Sequence, residues 1–226
     1  MQEHKRKKNG TRVIDAIAAH SARRADGSPL AGRVGSIFSD ELAFMRGFLA
    51  HPRQVGSVVP SSIALEQRLV RAADLARAQT VVELGPGTGG TTRALLDSLR
   101  PDARLLAVEL SPEFHARLVG RFSDPRLLPQ LGSAEQLGEL LQRWRLPAPD
   151  VVLSGIPFST MPPAIADRIA NIIADCLAPG GRFVAYQVRA HVADFVSPYL
   201  GPPAIAWELR NVPPLRVFRW VKRDGA

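Results

Sequence analysis

Two carboxylates and a run of glycines carry the strongest chemical signal in the 226-residue chain. Glu83 closes the apolar run Val81-Val82 and is followed by Gly85, Gly87 and Gly89 at alternate positions. Behind them Thr92, Leu95, Leu96 and Leu99 recur at helical spacing. The pattern predicts a strand, a tight turn and a helix N-terminus. Glycines let such a turn bend sharply and bring bare backbone up to a ligand. Free N–H groups at the helix start then suit a polar group. A second apolar run, Leu105 to Leu110, carries Glu109 twenty residues after Gly89. An acid at that distance suits paired contacts to ribose hydroxyls. Gly85, Gly87 and Gly90 also satisfy the spacing of dinucleotide sites, so the glycines alone leave two cofactor classes open. Glu83 separates them, because a pyrophosphate there would meet like charge whereas an amine or hydroxyl would be accepted.

The elements that must position these groups follow from the rest of the chain. A helix is expected over 113–122, a short strand over 126–130, and a turn at Gly132-Ser133-Ala134-Glu135 before a helix that ends near Trp144. Asp150 to Ser154 reads as a buried parallel strand, 165–177 as a helix, and Pro179-Gly180-Gly181 as the break before a strand at 182–188. Two last strands, 204–211 and 215–222, face each other across Pro213-Pro214. Such alternation predicts an α/β fold with a parallel sheet, helices on both faces and an antiparallel closing hairpin. Ligands in these sheets sit beyond the C-terminal strand ends. That places Glu83, Glu109 with Leu110, Ser133 with Ala134, and Ser154-Gly155-Ile156-Pro157-Phe158 around one crevice. Tyr186, Arg189 and His191 follow at the end of the fifth strand.

Bulk properties bound the partners. A hydrophobic content of 46% and a charged content of 22% are those of an ordinary globular chain. No apolar run is long enough to span a bilayer, and the charged first residues predict no secretory signal. The lone Cys176 excludes an internal disulfide, and no zinc or other metal site is read. The net charge is +8, and residues 1–35 hold eight Lys/Arg against three acids, so +5 of it lies there. That excess points to a polyanionic surface, lipid or nucleic acid. Three parts are expected: a flexible basic extension at 1–35, a cap of helix, loop and helix at 36–76, and a ligand-binding core at 77–226. In the cap, Ile37, Phe38, Leu42, Phe44, Met45, Phe48 and Leu49 recur at spacings of three and four. Such an amphipathic helix either packs on the core or lies in a membrane interface. The loop at 51–62 carries Arg53, Ser57 and Ser61, which suit a phosphate as well as a plain structural connector.

The glycine turn with Glu83 and Glu109 resembles the class I S-adenosylmethionine-dependent methyltransferases. That resemblance implies a Rossmann-like, seven-stranded, mostly parallel sheet and S-adenosylmethionine as cofactor. It implies that Glu83, Gly85, Gly87 and Gly89 hold the amino-acid part, Glu109 with Leu110 the ribose, Ser133 and Ala134 the adenine, with Ser154 closing the site. A more specific resemblance lies in Phe44-Met45-Arg46-Gly47-Phe48-Leu49, in the 51–62 loop, and in Ser154-Gly155-Ile156-Pro157-Phe158. These are similar to the bacterial phospholipid N-methyltransferases, which methylate phosphatidylethanolamine towards phosphatidylcholine. The resemblance implies a cytoplasmic enzyme held peripherally on the inner membrane, with an anionic membrane surface and a phospholipid as partners. Arg53, Ser57, Ser61, Arg189 and His191 would then meet the lipid phosphate. Phe158, Tyr186 and Trp207 are candidates to wall the methylated ammonium, and Tyr186 could also accept a proton. The alternative is an rRNA adenine N6-methyltransferase, although the amide acceptor of nucleobase enzymes is absent at Ser154, which makes nucleic acid the lesser partner.

Overall fold

The computed structural model describes residues 63–211 and 213–223. The basic extension, the expected helix at 37–49 and the 51–62 loop with Arg53, Ser57 and Ser61 lie outside the described residues. Seven strands, β1 (Thr80–Leu84), β2 (Arg104–Glu109), β3 (Leu127–Leu131), β4 (Val151–Ser154), β5 (Arg182–Gln187), β6 (Ala204–Glu208) and β7 (Leu215–Val221), form one sheet. The strand order is β3-β2-β1-β4-β5-β7-β6, parallel except that β7 runs against both neighbours. Among the described residues six α-helices, α1 (Ile63–Ala73), α2 (Gly90–Ser98), α3 (Pro112–Arg121), α4 (Leu137–Arg143), α5 (Pro163–Cys176) and α6 (His191–Leu200), accompany it. The expected α/β architecture with a closing antiparallel hairpin is the one observed.

Burial explains why these stretches are strands. β1 and β4 are buried along their whole length, so both pleat faces must be apolar, and Val81-Val82 and Val151-Val152-Leu153 satisfy that. One face packs Leu137 and Leu140 of α4, Ile169 and Ile173 of α5, and Val192 and Val196 of α6. The other face packs Leu65 and Leu69 of α1, Leu95 and Leu96 of α2, and Leu118 of α3. α3 starts where Ser111 accepts from the Phe114 N–H and Pro112 takes the first helical position. α6 is the element that sequence periodicity passed over. Pro198 sits inside it, yet Val192, Val196 and Leu200 fall on one buried face at spacings of four. A proline within the helix reads as a break in sequence, and packing overrides it.

The hairpin is fastened to the sheet by aromatic stacking. Phe183 of β5 and Phe218 of β7 flank Trp220, with ring centroids 5.3 Å and 5.8 Å away. Lys222 then caps the C-terminus of α5, donating to the carbonyls of Ala174 (2.7 Å) and Leu177 (2.9 Å). Arg68 of α1 pairs with Glu208 of β6 at 2.9 Å, and Glu208 also accepts the Arg210 N–H, which turns the chain out of β6 earlier than the sequence pattern implies. Phe158 is corrected here: it is 1% exposed and belongs to the core under β4, so its ring packs inside the fold rather than walling a ligand. Trp220→Ala is expected to remove the centre of the aromatic stack and cost about 3–5 kcal/mol. Urea unfolding should show the midpoint falling accordingly.

Candidate functional site

Three peptide N–H groups tie the C-terminal strand ends together. Gly85 donates to the Val108 carbonyl (2.9 Å), Gly155 to Leu84 (2.9 Å), and Gly132 to Glu109 (3.0 Å). The turns after β1, β3 and β4 thus continue the sheet ladder beyond its strands. Gly85, Gly87 and Gly89 all have positive φ, at 74°, 54° and 81°. A side chain at any of them would be strained, and the three differ in what lies beyond. A Cβ on Gly89 would come 2.9 Å from the Phe122 ring, and one on Gly85 would rest against Ile156 at 3.5 Å. One on Gly87 would meet nothing within 4 Å among the described residues, so Gly87 is where the turn leaves backbone open to a ligand. At Gly90, the first residue of α2, a Cβ would lie 2.8 Å from Oε1 of Glu66. This α1 carboxylate, which no sequence motif flags, stands beside the positive N-terminal end of α2.

The two acids are both buried and differently satisfied. Glu109 accepts from the Gly87 N–H at Oε2 (3.0 Å) and from the Ser111 N–H at Oε1 (2.8 Å). Burial raises its pKa, and these backbone donors work against the rise. A carboxylate offers about four acceptor positions, so two remain for a ligand. Glu83 is 1% exposed and, among the described residues, accepts the Thr92 hydroxyl at 2.6 Å. Burial pushes its pKa up to about 8, with the Thr92 hydrogen bond opposing and the negative charge of Glu109 adding to the rise. An uncompensated carboxyl of this kind favours a cation beside it.

Around these acids stand the remaining candidates. Ser133 caps the turn after β3, its hydroxyl accepting from the Glu135 N–H (3.1 Å) while its own N–H donates to Gln136 (3.1 Å). Ser133 and Ala134 are buried and Leu110 is half-buried. The Ser154 hydroxyl, fully buried, accepts from the Ile156 N–H at 3.2 Å and so shapes the turn after β4. Two residues at the end of β5 complete that turn. The Tyr186 hydroxyl lies 2.7 Å from where a Cβ of Gly155 would stand, so only glycine leaves it room. Gln187 donates its side-chain N–H to the Ile156 carbonyl at 2.7 Å. Sequence reasoning missed Gln187; its signal is a polar residue on the inward pleat of a strand whose other inward residues, Phe183 and Ala185, are apolar. Arg189 and His191 are exposed at the start of α6. Trp207 is not part of this group, because it lies on the edge strand β6 with Arg216 stacked over its ring at 4.3 Å. Among the described residues no cluster of His, Cys, Asp and Glu could hold a metal ion.

No family model matches the chain. It is similar to the ornithine lipid N-methyltransferase of Singulisphaera acidiphila, 30% identical over 181 residues that cover 79% of this chain and 94% of that enzyme. The chain belongs to the family of that lipid N-methyltransferase. It is a class I S-adenosylmethionine-dependent N-methyltransferase, and S-adenosylmethionine is its cofactor. A more distant relative is the ribosomal RNA small subunit methyltransferase A of Nocardia farcinica, 29% identical over 77% of this chain but only 56% of that protein. Two solved structures share the fold of this N-methyltransferase. The Burkholderia thailandensis 1,6-didemethyltoxoflavin-N1-methyltransferase aligns over 89% of this chain and 93% of its own, with a TM-score of 0.60 and 17% identity. The N-methyltransferase NodS of Bradyrhizobium japonicum covers 70% and 94%, with a TM-score of 0.58 and 14% identity.

The raised Glu83 pKa has a sign that can be tested. The unfolded chain releases this proton near 4.5, whereas the folded, cofactor-free chain keeps it to about 8. Between those values the folded state binds more protons, so this group's share of stability is complete below 4.5, declines as pH rises and levels off above 8. Thermal unfolding without cofactor is expected to show a midpoint that falls from pH 5 to 8. In Glu83→Gln that slope should flatten, with little change at pH 5.

Proposed function

We propose that this N-methyltransferase methylates the head-group amine of a membrane phospholipid, taking phosphatidylethanolamine stepwise towards phosphatidylcholine at an anionic membrane surface on the cytoplasmic face of the inner membrane. The observation that carries this reading is the match to an enzyme named for a lipid amine acceptor, which extends over nearly the whole of that enzyme. The turn after β4 supports it, since Ser154 stands where a nucleobase enzyme would offer an amide. The rRNA reading rests on relatives of which this chain spans little more than half, and it is the alternative.

The residues fit the cofactor. Gly87 opens onto free space beside Glu109, and Glu83 is a buried carboxyl lacking a cation. In this proposal Glu83 and the Gly85, Gly87 and Gly89 backbone hold the amino-acid part. The two spare positions of Glu109, with Leu110 beside it, take the ribose hydroxyls, Ser133 and Ala134 flank the adenine, and Ser154 fixes the floor. When bound, S-adenosylmethionine supplies a methyl group made electrophilic by its sulfonium. The chain's part is to orient the acceptor and to strip it of a proton. An alkyl ammonium with a pKa of about 10 has no lone pair to offer, and an apolar, water-poor pocket favours its neutral form. Tyr186, beside Gly155, is the proposed proton acceptor; in-line alignment supplies most of the remaining acceleration. Arg189 and His191, with Arg53, Ser57 and Ser61, are proposed to meet the lipid phosphate. Among the described residues no helix is long and apolar enough to cross a membrane, so this reading places the enzyme on the surface of the bilayer.

Two outcomes are expected. Purified enzyme given radiolabelled cofactor should place label in phosphatidylethanolamine vesicles and none in small-subunit rRNA offered in parallel; label in RNA alone would overturn the reading. Glu109→Ala should weaken cofactor binding at least tenfold by calorimetry. The same calorimetry tests Glu83: a bound ammonium lowers its pKa from about 8, so binding at pH 7 should release protons and strengthen as pH rises towards 8. Equal heats in buffers of different ionisation enthalpy would remove Glu83 from the cofactor's amine.

A further inference from the structure

The edge of the sheet carries an apolar surface that the site does not use. Ile205 and Trp207 alternate onto one face of β6, 52% and 48% exposed, and Leu209 at the turn that follows is 71% exposed. Inward on the same face, Phe218 and Trp220 are buried, so the sheet is covered up to β7 and bare at β6. Edge strands with exposed bulky apolar residues invite association, and single scattered ones do not need a partner. Here two share one pleat face and the third follows within two residues at the turn. Their charge surroundings are also one-sided: residues 204–223 hold five cations, Arg210, Arg216, Arg219, Lys222 and Arg223, against Glu208 alone. Glu208 is already paired with Arg68 on the other side of the strand.

The surface is joined to the site's rim. Register aligns Trp207 with Arg216, and Arg216 with Gln187 at the end of β5. The Arg216 guanidinium stacks on the Trp207 ring and donates to the Val188 carbonyl at 3.0 Å. Val188 is the residue before Arg189. A surface that grips Trp207 therefore lies next to the mouth through which the proposed lipid head group must enter.

We propose that Ile205, Trp207 and Leu209, with Arg210 and Arg216, form a docking edge for a bilayer of anionic lipid. This inference rests on the lipid-acceptor reading above and names the described surface that would meet the membrane. Trp and branched aliphatic side chains partition at the head-group boundary while arginines meet lipid phosphates. The same cations disfavour the competing occupant, a second copy of this chain paired along β6, because each copy would bring Arg210, Arg216 and Arg219 near the seam.

The full chain carrying Ile205→Ser with Leu209→Ser tests it. Both side chains are exposed and outside the catalytic and cofactor machinery, so the fold and the methylation of short-chain phosphatidylethanolamine dispersed in detergent are expected to stay as in the wild type. Sedimentation with vesicles of phosphatidylglycerol and phosphatidylethanolamine should show binding weakened roughly tenfold or more, and methylation of vesicle lipid falling with it. A separate Trp207→Ser chain should show the same vesicle defect. Unchanged vesicle binding in both variants would overturn the docking edge even where lipid methylation stands. Wild-type binding to vesicles without methylation of any lipid amine would sink the acceptor reading and leave the edge intact. A wild-type dimer that the double variant dissociates, with vesicle binding unaltered, would assign the edge to a copy–copy interface and overturn the proposal.

Discussion

The site depends on three peptide hydrogen bonds that continue the sheet past the ends of its strands. Gly85, Gly132 and Gly155 donate to carbonyls of Val108, Glu109 and Leu84 on neighbouring strands. Loops leaving a parallel sheet usually diverge, since nothing obliges them to stay paired. Here each is held for one further residue, which sets the turns after β1 and β3 against the end of β2 and the turn after β4 against the end of β1. Glycine is needed at Gly155 because a Cβ would meet the Tyr186 hydroxyl at 2.7 Å and the Gly85 carbonyl at 3.0 Å. The floor of the crevice is therefore backbone, fixed by sheet register, and side chains decorate it.

From that constraint follows the contrast between the two acids. Register brings the Gly87 and Ser111 N–H groups to Glu109, so its charge is compensated before any ligand arrives. Glu83 sits one strand inward, where the peptide groups are spent on the ladder, and the Thr92 hydroxyl is what reaches it among the described residues. Burial then dominates, and the carboxyl keeps its proton until a cation replaces it. One carboxylate is prepared for neutral hydroxyls and the other for a positive charge. That division suits a cofactor with a ribose at one end and an ammonium at the other.

Much of this was legible in the sequence, and the exceptions have physical causes. Val81-Val82, Val151-Val152-Leu153 and the glycine turn announce buried parallel strands and their crossing because both pleat faces are apolar there. Glu83 and Glu109 stand out as acids where only apolar residues belong. The helix α6 was hidden by Pro198, whose local cost is outweighed by burying Val192, Val196 and Leu200. Phe158 reads as a ligand wall because it follows a strand end, yet β4 stops early enough for its ring to turn into the core. Trp207 reads as a site aromatic by type alone; only the strand order shows that β7 separates its strand from β5. Gln187 was invisible because its role is a contact across 31 residues of sequence to the Ile156 carbonyl.

Gln187 bears on what kind of acceptor the crevice can receive. The turn after β4 has a serine where an amide would read a nucleobase, and the structure supplies a carboxamide from β5 instead. Its N–H is committed to the Ile156 carbonyl, and the Ser154 hydroxyl accepts the Ile156 N–H, so both polar groups brace the turn from opposite sides. A base would need a free acceptor at that place for its amino group; the Ile156 carbonyl already accepts from Gln187 and from the Phe158 N–H, and the acceptor left over is the Gln187 Oε1, buried without a partner among the described residues. A simple alkyl amine makes no such demand, since removal of its proton and alignment of its lone pair are enough. The braced turn thus keeps one acceptor for an amine of either kind, and discrimination between the molecules that carry it falls to groups beyond the turn.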